Sequence, residues 1–139
     1  MKNPSARFLL FAVIPIVVAL CFHLLWGCAS TDARVMVAEL TYIMELLVTP
    51  AFLVFIIGWF GIKKKVSLLL CVPVCFTVNV ISAIIPYWNW VVNTGLLLSH
   101  GSASAMIMHI KLIVSTIVIA IGSLVIVLIK RSCKKELKQ

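Results

Sequence analysis

Residues 112–129 read LIVSTIVIAIGSLVIVLI, an uncharged run held between Lys111 and Lys130. As an α-helix rising about 1.5 Å per residue it is about 27 Å long, close to the roughly 30 Å hydrocarbon core of a bilayer. The rest of the chain agrees. Its 139 residues are 63% hydrophobic and 12% charged, with a mean hydropathy of +1.20. A soluble chain of this size must cover itself with charge, and twelve Lys and Arg plus four Asp and Glu, most of them bunched, cannot supply that surface. An all-α integral membrane protein is expected, and a soluble catalytic domain is nearly excluded.

Moving outward from that run, a window of about 20 residues finds four spans, Phe8 to Trp26, Leu40 to Phe60, Val66 to Ile85 and about Ala105 to Ile129. The reading is a single four-span transmembrane domain over residues 1–139, folded as a four-helix bundle. Charges fall mostly between the spans: Lys2 and Arg7, then Asp32 and Arg34, then Lys63-Lys64-Lys65, and finally Lys130, Arg131, Lys134, Lys135 and Lys138. With both termini and the Lys63 to Lys65 turn in the cytoplasm, only Arg34 and Lys111 among the Lys and Arg residues lie on or near the outside, as the positive-inside rule requires. The expected setting is a bacterial inner membrane.

Trp26, Trp59, Tyr87, Trp88 and Trp90 fall near the predicted span ends, where amphipathic rings sit at the headgroups. The segment from Pro86 to Ser104 reads as an aromatic anchor along the interface followed by a flexible linker. Leu25-Trp26-Gly27-Cys28 resembles a bacterial lipobox. The apolar run before it exceeds the roughly 7–15 residues of a signal-peptide core, and His23 interrupts it, so the first span is read as a retained helix. The formal charge of +8 belongs to the topology. With no basic face interleaved with aromatics, nucleic acid is not expected as a partner.

Pro15, Pro50 and Pro73 lie inside predicted spans and should kink them, as shape or as hinge. In the third span Cys71, Cys75, Asn79 and Ala83 recur every four residues, with Ser82 beside them, and this polar stripe should face protein. In the fourth, His109, Thr116, Ala120 and Ser123 share one face while Lys111, Ser115 and Gly122 share nearly the opposite one. Asn79, Ser115, Ala120 and Gly122 are therefore the expected helix-packing or partner face. Two packing faces on one helix imply neighbours on both sides, within the chain or from a second copy or another membrane protein.

Charged side chains inside spans are costly enough to mark a functional site by default. Glu45 and Lys111 are the candidates, with His23 and His109 as titratable companions at the outer edge. The carboxylate and ammonium could pair structurally, could line a proton or ion path, or could each snorkel to the headgroups. His100 and Met36, Met44, Met106 and Met108 also fall toward the outer side. Met106-Ile107-Met108-His109 holds ligand types suited to Cu(I), but helical geometry sends the two Met residues to different faces. No metal site or cofactor is expected. The cysteines lack redox spacing and read as unpaired packing residues.

There is no nucleophile elbow, no phosphate-binding Gly loop and too few carboxylates for paired acid–base work, so the chain is not expected to be an enzyme. Two functions remain. One is a small membrane protein that acts by association within the bilayer, as an accessory subunit or an immunity-type protein bound to another membrane protein. The alternative is an oligomeric transporter or channel moving protons, ions or small solutes past Glu45 and Lys111.

Overall fold

The computed structural model describes residues 3–94 and 103–136. Among them every element is helical, and the helices in chain order are α1 (Pro4–Ala12), α2 (Ile14–Cys28), α3 (Thr31–Ile43), α4 (Thr49–Gly58), α5 (Leu68–Thr94) and α6 (Ala103–Glu136). Four stretches are long and apolar enough to cross a membrane: Pro4–Cys28, Glu39–Lys63, Leu68–Pro86 and His109–Ser132. They form the four-helix bundle expected from the hydropathy.

Local chemistry explains the first span. Asn3 caps it, its side-chain oxygen accepting from the Ser5 N–H at 3.0 Å. Pro4 takes the first turn, where an absent N–H leaves nothing unsatisfied. Further along, Pro15 cannot donate to the Phe11 carbonyl, and the helix breaks at Val13, whose carbonyl accepts from both Ile16 and Val17. The chain then reverses through Ala29 and Ser30 alone, and Arg34 Nε donates to the Ala29 carbonyl at 3.1 Å to hold the turn.

The second span is not a plain α-helix. Met44–Val48 and Trp59–Lys63 are π-helical turns inserted before and after α4. The first sits just ahead of Pro50. There the Thr49 N–H reaches back to the Met44 carbonyl, five residues away, so the wider turn takes up the backbone that a proline would otherwise crowd. The second ends at Lys63, and two residues on Lys65 takes a left-handed φ of 55°, a position after a helix end more often filled by glycine.

Consecutive spans run in opposite directions, so spans one and three run parallel, as do spans two and four. α2 lies along α5, α4 packs against α6 and α5, and α5 also meets α6. The core draws on all four spans, with Phe8, Leu53, Ile57, Cys71, Cys75 and Ile119 fully enclosed. At one end Lys130 Nζ donates to the Gly61 carbonyl at 2.7 Å, and the Phe8 and Phe60 rings meet edge-to-face at 5.7 Å. The start of the chain, the lysine turn and the end of the fourth span therefore share that end, here termed the basic end. Large apolar side chains such as Leu24, Phe55, Ile113, Ile121 and Leu124 point outward, a surface that suits lipid.

Three helix ends lie away from the expected span ends. The helical run of the second span reaches back to Thr31, while the span itself starts at Glu39, one residue from the expected Leu40. Val66 belongs to the basic-end turn, its N–H donating to the Phe60 carbonyl at 2.9 Å, and α5 starts only at Leu68. Pro86 does not end the third helix, which continues to Thr94. A proline inside an apolar helix forfeits one hydrogen bond, whereas uncoiling the turns on either side of it would free several. The expected linker lies mostly in residues 95–102, outside the described residues.

Candidate functional site

A stripe of inward positions runs down the second span at Thr41, Glu45, Thr49, Leu53 and Ile57, all buried. In an α-helix each step of four residues overshoots a turn by about 40°, so four such steps would carry the stripe about 160° round, from core to lipid. The extra residue held in the Met44–Val48 turn takes back about 100° of that drift. The proline and its π-helical turn are thus what keep Glu45 on the same face as Leu53 and Ile57.

Lys111 stands on the inward line of α6, followed at intervals of four by Ser115 and Ile119, all buried. Its Nζ lies 3.0 Å from Glu45 Oε2, and the two side chains are only 3% and 6% exposed. The Tyr42 ring adds a cation–π contact 4.4 Å from the same nitrogen. Both side chains are turned into the bundle and toward each other. The second carboxylate oxygen, Glu45 Oε1, is buried and has no hydrogen-bond partner. Such an atom is costly in hydrocarbon, and it has acceptor capacity for a proton or a water molecule.

One helical turn deeper from Lys111, Asn79 Nδ2 donates to Ser115 Oγ at 2.9 Å, bridging α5 and α6. Ser115 Oγ in turn donates to the Leu112 carbonyl at 3.2 Å, and Ser82 Oγ to the Asn79 carbonyl at 3.1 Å. Glu45, Lys111, Ser115 and Asn79 are therefore consecutive members of a polar column inside the bundle, wrapped by α4, α5 and α6.

The companions fall differently. His23 is half-buried on α2, with Nδ1 enclosed and without a hydrogen-bond partner. His109 precedes Lys111 by two residues, which turns it to another side of α6, and it is exposed. The packing face expected from sequence also divides. Asn79 and Ser115 are consumed by each other, and Gly122 sits against Val54, whose methyl carbons lie 2.6 Å from where a Cβ would be. Ala120 is exposed on the outer side. Ser123, grouped with Ala120 by spacing, is instead buried beside Ile119 and Ile126. The intrachain neighbours of α6 account for one of its two polar faces.

Sequence reasoning missed the Tyr42 ring, the two π-helical turns and the Lys130 tie to Gly61. The signal for the first turn was Pro50 five residues after Glu45. Cys21 and Cys28 are free and exposed, Cys71 and Cys75 free and buried. Among the described residues no three His, Cys, Asp or Glu side chains gather in a group that could hold a metal ion. His100 and the side chains of Met106 and Met108 lie outside the described residues. Compared with protein-family models, with curated proteins and with solved structures, the chain matches none.

Proposed function

We propose that this is a small multi-pass protein of a bacterial inner membrane, termini in the cytoplasm, that moves protons, or ions and small solutes coupled to them, by way of Glu45. The observation that supports the reading is the buried Glu45–Lys111 pair with its unpartnered Oε1. A carboxylate that binds a proton gives up much of its attraction for the ammonium, and the pair then has two arrangements to alternate between. The basic end supplies the support for orientation. No catalytic chemistry enters the reading.

The test is proton flux into liposomes holding the purified protein and an internal pH-sensitive dye, driven by a potassium diffusion potential. The wild-type chain is expected to conduct above empty vesicles, and Glu45→Gln to fall to their level while inserting and keeping its helicity. Wild-type flux no greater than that of empty vesicles, or full flux in Glu45→Gln, would overturn the reading.

A second reading, association with another membrane protein or a second copy, is favoured by the outer side of α6. There the exposed Ala120 interrupts a run of exposed Ile113, Ile117, Ile121 and Leu124, and a small residue lets another helix approach closely. A photoreactive residue at position 120 in native membranes should then give a specific adduct. Labelling of lipid alone would remove this reading.

A further inference from the structure

At the basic end the first two spans leave a groove unconnected with Glu45. Phe11, Phe52, Phe55, Ile56, Trp59 and Phe60 line an apolar cavity of about 290 Å³. A second recess of about 520 Å³ shares Phe11, Trp59 and Phe60 with it and is bounded by Pro4, Arg7 and Lys63, Lys64 and Lys65. One wall is thus aromatic and the mouth cationic. From Phe60 back to Phe52 the helix covers about 12 Å, most of the roughly 15 Å hydrocarbon depth of one leaflet.

The wall is fixed before anything binds. Phe11 packs against Phe60 with centroids 6.0 Å apart, Phe55 stacks on Trp59 at 6.1 Å, and Lys63 Nζ sits 4.4 Å over the Trp59 ring. The mouth carries a further cost. Lys65 occupies a left-handed backbone position, φ 55°, where glycine would be free of strain. Topology asks only for positive charge at this end of the bundle. It does not ask for an aromatic channel running from those charges toward the bilayer centre, nor for a cation at a strained position.

We propose that this groove binds one anionic glycerophospholipid, its phosphate between Arg7 and the Lys63–Lys65 turn and one acyl chain along Phe11, Phe52 and Phe55. The headgroup is chosen by charge, since a zwitterionic lipid brings a cation of its own to a mouth that already holds four. The chain is held by the apolar wall, which shields it from competition by a soluble phosphate ester.

Native mass spectrometry of the whole protein, released from nanodiscs of equimolar dioleoyl phosphatidylglycerol and phosphatidylcholine, tests this. One phosphatidylglycerol is expected to stay bound in preference to phosphatidylcholine. Each cation removed by Lys→Gln at 63, 64 and 65 should lower that preference about fivefold, and Lys→Arg at the same three positions should keep it. Lys134→Gln with Lys135→Gln, which removes charge from the end of α6, should leave it unchanged. Phe55→Ser, at an outward position that does not carry the fold, should weaken retention while leaving the headgroup preference. Equal retention of both lipids, equal loss in the Lys134 and Lys135 control, displacement by glycerol phosphate, or undiminished retention in Phe55→Ser would each overturn the proposal.

Discussion

Glu45 and Lys111 are each expensive in a bundle interior and tolerable only together, so removing one costs more than removing both. Lys111→Met is expected to destabilise the protein by about 3 kcal/mol, because a buried carboxylate is left without its counter-charge. Adding Glu45→Gln to that variant should recover most of the loss, read by unfolding in mixed micelles; strictly additive costs would refute the coupling. Asn79→Leu should cost less, about 1 kcal/mol, since Ser115 Oγ still has the Leu112 carbonyl. The two charges could be singled out in the sequence because ionisable residues are rare inside apolar runs. Whether they met could not, since contact depends on the azimuth of each side chain about its helix. That azimuth is set here by a π-helical turn whose one mark in the sequence is Pro50, and that mark does not by itself say which way Glu45 faces.

The elements differ in how much they tolerate. A π-helical turn is one residue more than an α-helix needs, so deleting the exposed Leu47 should let Met44–Val48 close to α geometry with both flanking faces still directed at the core. Deleting Ile117 from the uninterrupted α6 should instead rotate one half of that helix by about 100° against the other and destroy the bundle. Thermal melting and yield of the two deletions, side by side, check the contrast. Gly122→Leu should disrupt the contact between α4 and α6, with partial rescue by Val54→Ala, whereas Ala120→Leu on the outer side should leave the melting temperature near wild type. The spans could be placed from hydropathy and from the charges that bracket them. Their ends follow closely as well, Glu39 and Pro86 against the expected Leu40 and Ile85, whereas hydropathy gives no sign that the helices run on beyond them, back to Thr31 and forward to Thr94.

For the whole molecule, ends and lysine turn share one side, so a single label settles orientation. A variant keeping only the exposed Cys28, at the opposite side, should react with a membrane-impermeant maleimide on intact bacterial cells. Reaction only after permeabilisation would invert the assignment. The bundle also has a fixed length between its basic end and its ion pair. Along the helices Lys111 stands about 28 Å from Lys130, and Glu45 about 27 Å from Lys63. Biological bilayers range from about 27 to 33 Å in hydrocarbon thickness. A thin membrane therefore sets the pair level with the headgroups, where water can reach Glu45 Oε1, and a thick one seals it in oil. The bundle thus carries a ruler along its axis, against which the fatty-acid chain length of the surrounding membrane would set whether the Glu45–Lys111 pair is wet or dry.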